Sequence, residues 1–295
     1  MTQKQANFLL ATVSMGWGIS YLFMKICVDT ISPLTIIGLR FGIAFIVMIV
    51  IFYKKIIHVD VKLLKYSAIV GALLCTIFFA LLHGVKNTNA SSAGFLTSTT
   101  VILVPILQTF ITRKWPSKKI ILGVTIVSFG LALLTIEDDF TFAFGSIYCL
   151  IAAFLYAIHI LVTNYFIREV DSLQLGIFQL GFAALFATIG SVIYETSVLP
   201  QNGIQWFAIL GLALICSAYG FVMQPIAQKY TTPESTGFLF SLEPIFSAIF
   251  AYIFLHENMG VKGYFGALII LTGVFIANST SKKRLEVSRD RGGWL

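Results

Sequence analysis

Residues 235–250, STGFLFSLEPIFSAIF, form an apolar stretch that carries Glu243 followed directly by Pro244. A carboxylate within lipid is costly, and a proline inside a helix removes a backbone hydrogen bond. The stretch aligns without a gap on residues 92–107, SAGFLTSTTVILVPIL, at an offset of 143 residues. Thr100 then occupies the position of Glu243. The chain therefore contains an internal repeat in which one copy carries a carboxylate and the other a hydroxyl.

The composition excludes a soluble globular protein. Of the 295 residues, 58% are hydrophobic and only 11% are charged, whereas soluble domains have about 25% charged residues. We therefore predict a polytopic membrane protein. The first apolar run, 7–28, is too long for a signal peptide and lacks a small-residue cleavage site, so we expect it to remain as a helix. The cysteines lie in apolar segments without metal-binding spacing, which predicts neither a disulfide framework nor a zinc site: Cys27, Cys75, Cys149 and Cys216.

Charged and turn-forming clusters divide the chain into ten apolar segments of roughly 18 to 23 residues, the length that a helix needs to cross a bilayer. The predicted spans are 7–28, 34–53, 64–84, 90–112, 118–136, 143–165, 173–194, 204–225, 232–255 and 261–279. The predicted fold class is therefore an all-α integral membrane protein with ten transmembrane helices. Residues 280–295 are polar, and we expect them to form a disordered tail.

The repeat extends over both halves of the chain. The offset of 143 also carries residues 118–134 onto 261–277, and an offset of 139 near the start carries Trp17 onto Tyr156. Each copy has five predicted helices, an odd number, so the second copy enters the membrane upside down. Inverted repeats are typical of secondary transporters, which bind solute near the membrane midplane between the repeats and alternate access. The predicted domains are two five-helix repeats, 7–136 and 143–279.

The basic residues of the short loops predict the orientation, since they concentrate on the cytoplasmic side. With the N-terminus inside, that side holds Lys54, Lys55, Lys62, Lys65, Arg113, Lys114, Lys118, Lys119, Arg168, Lys229, Lys282, Lys283 and Arg284. The opposite side holds Lys86, Lys262 and the acids EDD at 137–139, which we interpret as a solvated outer loop because no second acidic cluster completes a metal site. Both termini, including the tail 280–295, are predicted to be cytoplasmic in the plasma (inner) membrane. The net charge of +7 needs no nucleic-acid partner.

Two segments carry a resemblance to a known family. Residues 17–44 and 241–277 contain the pattern residues Trp17, Gly18, Lys25, Pro33, Arg40, Glu243, Pro244, Glu257, Gly266 and Gly273. With them the chain resembles EamA-type members of the drug/metabolite transporter superfamily over residues 7 to 279. The resemblance implies ten helices, cytoplasmic termini, a central cavity between the repeats, and solutes such as amino acids or other metabolites.

Polar residues at helical spacing indicate the walls of this cavity. Thr236, Phe240, Glu243 and Ser247 follow one stripe of a helix, and the matching stripe of the first copy carries the hydroxyls of Thr97 and Thr100. Aromatic residues with a polar atom are further candidates, because that atom needs a partner inside a bundle. The predicted substrate-binding residues are Trp17, Tyr21, Thr97, Thr100, Tyr156, His159, Tyr219 and Glu243.

Several of these residues have alternative roles. Glu243 lines the cavity, couples transport to protons, or joins helices as a structural residue. Because burial disfavours a charged carboxylate, we expect it to be protonated in at least one state. His159 suits a substrate or proton site, or is satisfied by a neighbouring carbonyl.

The other polar residues within the spans have structural explanations as well. Lys25 lies near the outer helix end and can extend to the surface. For Arg40, deeper in its helix, we expect a structural role, paired with a carboxylate or backbone carbonyls. His83 is expected at the outer interface.

The leading functional hypothesis is a secondary transporter, an exporter of small organic solutes such as amino acids. The partners are a small-molecule solute and the lipid bilayer, with a proton as the candidate coupling ion. The chain has no GxxxxGK[ST] motif, so ATP is not indicated. No catalytic residue, metal or cofactor is predicted, and we do not expect an enzyme. The alternatives are a channel or lipid-handling protein and an intramembrane enzyme.

Overall fold

The computed structural model describes residues 1–57, 59–113, 118–135, 144–195, 198–231 and 233–278. In this part of the chain the regular elements are helices. They are α1 Gln3–Val28, α2 Pro33–Phe52, α3 Val61–Lys86, α4 Ala90–Thr97, α5 Thr100–Thr112, α6 Lys118–Thr135, α7 Phe144–Phe166, α8 Ser172–Tyr194, α9 Gly203–Gly211, α10 Gly220–Gln228, α11 Pro233–Phe240, α12 Glu243–Leu255 and α13 Gly260–Asn278. A 3₁₀ turn, Tyr53–Lys55, follows α2, and a π-helix, Leu212–Tyr219, joins α9 to α10.

The helices confirm the prediction of a multi-pass membrane protein. Seven helical runs of the described residues are long and apolar enough to cross a bilayer: Gln3–Val28, Pro33–Lys55, Val61–Lys86, Ala90–Ile111, Phe144–Phe166, Ser172–Tyr194 and Gly203–Gln228. Three shorter apolar helices accompany them: Ile121–Gly130, Glu243–Leu255 and Gly260–Ile276. The predicted outer loop at 137–139 and the predicted tail 280–295 lie outside the described residues.

Polar contacts between helix ends define the two ends of the bundle. The start of α1 meets the segment after α10, where Thr231 Oγ1 donates to Asn7 Oδ1 at 3.2 Å. The start of α3 meets the end of α7 through the Lys62–Glu169 ion pair at 2.8 Å. The hydrogen bond from Lys62, helped by the hydroxyl of Tyr66, lowers the pKa of Glu169 below its ordinary value of 4.5. We call this the N-terminal end.

The opposite, distal end is joined by a lysine and a glutamate. Lys25 Nζ, in the last turn of α1, donates to the carbonyls of Val85 and Thr88 at 3.1 Å each. The ends of α1 and α3 therefore lie together, and so do their starts. Glu257 accepts hydrogen bonds from the backbone N–H of Ala90 at 3.1 Å and from that of Ser91 at 3.2 Å. This carboxylate caps the start of α4, whose first N–H groups have no partner within the helix.

Helix boundaries repeat at the offset found in the sequence. Helices α4 and α5 are separated by a break at Ser98–Thr99, and α11 and α12 by a break at Ser241–Leu242, 143 residues later. The helices that follow the breaks both end in a left-handed residue, Arg113 with φ 53° and His256 with φ 54°. The backbone thus takes the same path in both copies.

The serines and threonines at the first break explain why the helix stops there. Ser98, Thr99 and Thr100 donate their hydroxyls to carbonyls three residues earlier, at 2.6 to 2.7 Å. Such local bonds compete with the helical backbone. In the second copy Pro244 lies at the start of α12, where its missing N–H has little cost. Pro244 therefore favours a helix start at this point and does not interrupt one.

Helices α6 and α13 pack closely through glycines. A methyl group at Gly130 would lie 2.8 Å from the carbonyl oxygen of Gly266, and one at Gly273 would lie 2.9 Å from that of Gly123. The contacts run in opposite directions along the two helices, so α6 and α13 are antiparallel. In the repeat, Gly123 corresponds to Gly266 and Gly130 corresponds to Gly273. The contact of Gly130 with Gly266 is therefore the counterpart of the contact of Gly273 with Gly123, as a twofold relation between the copies requires.

Candidate functional site

A small enclosed cavity lies where α1, α3, α4, α7, α10 and α12 meet. Its lining residues are Trp17, Ser20, Tyr21, Ile77, Phe78, Leu81, Thr97, Tyr156, Phe221 and Glu243. Its volume is about 20 Å³, and a single water needs roughly 10–15 Å³ on this measure. The structure therefore shows a closed conformation without room for an organic solute. A larger open crevice of about 360 Å³ lies at the distal end beside the turn between α1 and α2.

Glycine allows α1 to approach the start of α12. A methyl group at Gly18 would lie 3.0 Å from the carbonyl oxygen of Glu243 and from the amide nitrogen of Ser247. This close approach brings the next turn of α1 onto the cavity carboxyl, where Tyr21 Oη donates to Glu243 Oε1 at 2.7 Å. Tyr21 is 1% exposed and Glu243 is 9% exposed. The carboxyl is therefore buried, and its described partner is a neutral hydroxyl.

Aromatic rings cluster around Trp17, one turn before Tyr21 on α1. The ring of Trp17 lies 5.8 Å from that of Tyr156, 4.9 Å from Phe221 and 4.8 Å from Phe240. Its indole N–H donates to the carbonyl of Cys216 at 2.9 Å, within the π-helix. A π-helix inserts extra residues into a helical turn and is common at functional sites. The bond fixes the tryptophan ring at the cavity.

Five of the eight predicted binding residues line the cavity: Trp17, Tyr21, Thr97, Tyr156 and Glu243. The other three lie around it. Thr100 donates to the carbonyl of Ala153 at 3.0 Å, which ties α5 to α7. His159 Nε2 lies 3.1 Å from Gln179 Oε1, and its ring is 5.6 Å from that of Tyr156. Tyr219 pairs with Thr12 at 2.7 Å instead.

Comparison with known proteins identifies the family. The model of the EamA-like transporter family matches residues 4–136 and again residues 143–279. The chain belongs to the EamA-like transporter family. An uncharacterized transporter from Archaeoglobus fulgidus is 26% identical over 92% of this chain and 85% of its own length. The uncharacterized transporters YetK and YoaV from Bacillus subtilis are 24% and 21% identical over 93% of this chain, covering 87% and 97% of their own lengths.

The fold also resembles a solved one. A crystal structure of another protein superposes with a TM-score of 0.72 at 16% identity, covering 95% of this chain and 98% of that chain. At this identity the likeness concerns the fold alone. Membership of the family, in contrast, agrees with the prediction that this chain is a membrane transporter.

One charged residue of the EamA pattern is buried behind the cavity wall. Arg40 is 0% exposed; its Nε donates to Ser217 Oγ at 2.9 Å and its Nη1 lies 3.8 Å from Met24 Sδ. Its guanidinium lies 4.2 Å from the ring centre of Phe78, a cavity residue, and 4.9 Å from that of Phe41. We expected a carboxylate or carbonyl partner, and the described partners are a hydroxyl, a thioether and two aromatic faces.

The other polar residues considered from the sequence lie away from the cavity. Lys25 binds carbonyls at the distal end, as described above. His83 stacks between Phe79 and Tyr148, with ring centres 4.4 and 5.5 Å away. Within the described ranges no three His, Cys, Asp or Glu side chains come together as a metal site would require.

The sequence did not single out half of the cavity wall. Ile77, Phe78 and Leu81 of α3 and Phe221 of α10 line it. In a chain that is apolar almost throughout, the sequence does not show whether such a residue faces the cavity or the lipid. Ser20 gave a signal, because the offset of 139 aligns it with His159.

Proposed function

We propose that this protein is a secondary transporter that exports small organic solutes, amino acids or related metabolites, through the central cavity. The observation that carries the proposal is the buried carboxyl of Glu243 at a helix break, in a cavity that Trp17, Tyr156 and Phe221 also line. Discontinuous helices near the midplane and intramembrane carboxylates are typical of transporter binding sites. The substrate-binding residues we propose are the eight predicted from the sequence, with Thr100, His159 and Tyr219 in supporting positions.

We also propose ten transmembrane helices in two inverted repeats, 7–136 and 143–279, with cytoplasmic termini in the plasma membrane. The antiparallel, exchange-symmetric glycine contacts of α6 and α13 support a twofold axis that lies in the membrane plane. The remaining helix contacts agree with it. In the repeat, α7 corresponds to α1, α9 and α10 correspond to α3, and α12 corresponds to α5. The packing of α3 on α7 in one copy therefore matches that of α9 and α10 on α1, and the packing of α1 on α12 matches that of α7 on α5.

The closed cavity sets a requirement for transport. Amino-acid-sized ligands need pockets of several hundred Å³, so the cavity must open toward one side of the membrane at a time. Rocking of one repeat against the other supplies such a movement. A proton carried by Glu243 would couple the movement to a proton gradient.

Transport by purified protein tests the proposal. A thermal-shift screen against amino acids and metabolites finds the solute, because a ligand that binds only the folded form raises stability. Flux of that solute into proteoliposomes should saturate and show counterflow; flux that does not saturate would favour a channel, and transbilayer movement of labelled lipid without solute flux would favour lipid handling.

The Glu243→Gln variant tests the coupling separately. We expect it to lose flux driven by a pH gradient while retaining solute exchange. Glu169→Gln, which changes a carboxylate at the N-terminal end, is the matched control and should behave like the unchanged protein. If Glu243→Gln keeps its gradient-driven flux, proton coupling through this residue is wrong.

A further inference from the structure

Most buried polar atoms without a hydrogen-bond partner lie on three helices. Among the described residues they are Tyr156 Oη, His159 Nδ1 and Thr163 Oγ1 on α7, both amide atoms of Gln224 and of Gln228 on α10, and Ser67 Oγ on α3; Arg40 Nη2 on α2 and Glu195 Oε2 after α8 also lack a partner. Leaving a buried polar group unpaired costs about 1–3 kcal/mol. So many together require an explanation.

The unpartnered groups of α7 continue from the cavity toward the N-terminal end. Tyr156 lines the cavity, and His159 and Thr163 follow it at i+3 and i+7 on the same helix face. Both are 0% exposed. Thr163 lies about 10 Å beyond Tyr156 along the helix axis, close to the end of α7 and to the Lys62–Glu169 pair.

Helix α10 presents a second stripe in the same direction. Phe221 lines the cavity and contacts the ring of His159 at 6.4 Å. Gln224 and Gln228 follow Phe221 at i+3 and i+7 and therefore share its face. Gln224 is 0% exposed and Gln228 is 1% exposed. Gln228 ends the helix, just before the contact of Thr231 with Asn7.

Helix α3 provides the third stripe. Phe78 lines the cavity, and Ser67 lies on the same face about three turns, or roughly 16 Å, nearer the N-terminal end. The neighbouring Tyr66 stacks on Phe166 at 3.9 Å, which places the start of α3 beside the last turn of α7. The three stripes therefore lead from one cavity to one end of the bundle.

The distal half differs in its hydrogen bonding. Lys25 and Glu257 bind backbone groups there, as described above, and Ser247 Oγ donates to the carbonyl of Ala90 at 3.1 Å. These groups of the distal half have partners, whereas Glu195 Oε2 at the distal crevice has none. The N-terminal half is closed by polar side chains that have lost water without gaining a partner.

We propose that Ser67, Thr163, Gln224 and Gln228 line a passage from the cavity to the N-terminal end, which fills with water and solute when that end opens. Water restores their missing hydrogen bonds in the open state. None of the four side chains is charged, so the passage suits solutes whose polar groups are neutral or zwitterionic. The inference rests on the proposed transport function and identifies the half of the protein that opens.

Cysteine labelling tests the passage without knowledge of the solute. Gln224→Cys and Gln228→Cys are compared with Val222→Cys. Val222 is the matched control, since it is also 0% exposed but packs against Gly176 of α8. The four native cysteines are buried, and the unsubstituted protein gives their background. A membrane-impermeant methanethiosulfonate reagent is applied to each side of vesicles, and a protease-sensitive tag marks the side of the N-terminus.

The passage predicts that the two glutamine positions react about tenfold faster than Val222→Cys, since buried sites react at rates set by their opening free energy. The reaction should occur from the N-terminal side. Equal rates, or reaction from the distal side alone, would overturn the inference. If a glutamine variant does not fold, the labelling rate of Ser67→Cys, a nearly isosteric change on α3, tests the same passage. Selective labelling without saturable transport would overturn the proposed function instead, and saturable transport without selective labelling would overturn the passage alone.

Discussion

Removing the hydroxyl of Tyr21 should reveal the protonation state of Glu243. The 2.7 Å bond between them is compatible with a neutral acceptor, for which 2.7–2.8 Å is usual, and with a charged one, for which 2.5–2.7 Å is usual. The energies differ more clearly. A buried hydrogen bond contributes about 0.5–1.5 kcal/mol when the partners are neutral and about 1.5–3 kcal/mol when one is charged.

We expect Glu243 to be protonated in the closed conformation, because it is buried and no cation is among its described hydrogen-bond partners. Tyr21→Phe, Glu243→Met and the double variant form a cycle in which either single change removes the bond, and its coupling energy should then be about 0.5–1.5 kcal/mol. The measurement is the free energy of unfolding in mixed micelles, with the fraction of SDS as denaturant. Tyr252→Phe, at a tyrosine that is 61% exposed, is the control and should change stability by less than about 0.5 kcal/mol.

Two outcomes would contradict this reasoning. A coupling energy above about 2 kcal/mol would indicate an ionised carboxylate in the closed state. A coupling energy near zero, within the roughly 0.3–0.5 kcal/mol error of additivity, would show that the contact does not stabilise the fold.

Three further changes test the packing and the helix ends. Gly18→Ala should lower the free energy of unfolding by about 1–3 kcal/mol, because the added methyl group overpacks the contact of α1 with α12. Gly203→Ala, where a methyl group meets nothing within 4 Å, should leave the free energy of unfolding unchanged. Equal changes in the two variants would refute the close approach. Glu257→Ala should cost about 1–2 kcal/mol by removing the cap of α4, and unchanged stability in thermal unfolding would contradict that role. The pKa of Glu169 is lowered in the folded state, so ionised Glu169 stabilises the fold at pH values above its ordinary pKa, and this stabilisation is lost as the pH falls through its folded pKa. Glu169→Gln should therefore reduce the dependence of the free energy of unfolding on pH below about pH 5. An unchanged pH dependence would show that the pairing with Lys62 does not stabilise the fold.

The sequence predicted an all-helical membrane protein, because apolar length is a property of the chain itself. The offset of 143 reappears in the breaks at Ser98 and Ser241 and in the left-handed residues Arg113 and His256. The sequence did not predict the breaks. It indicated continuous spans, since the serines and threonines that end α4 also occur within helices and only their local hydrogen bonds distinguish the two cases.

The candidate residues that the structure brings together are those that follow a regular helical period. Tyr21 and Glu243 meet because each lies on a stripe that α-helical spacing describes. Tyr219 lies at the end of the π-helix, whose longer turn rotates the face that follows, and its hydroxyl faces Thr12. Gln224 and Gln228 lie one turn apart on the cavity face of the next helix, a polar pair that the period of α10 could have indicated.

The helix break gives Glu243 two opposing influences. Burial disfavours its charge by several kcal/mol, whereas the first position of α12 exposes it to the partial positive charge of a helix N-terminus, worth about 0.3–2 kcal/mol in favour of the anion. Burial is the larger effect while the cavity is closed, which favours the protonated form. When water enters through the N-terminal half, the burial cost falls but the effect of the helix end remains, so the balance moves toward ionisation. Thr100, the repeat counterpart of Glu243, lies at the equivalent N-terminus of α5, but its hydroxyl has no proton that it would release there. If the proposed passage opens, one carboxylate at one of the two corresponding breaks is sufficient to link proton release to that opening.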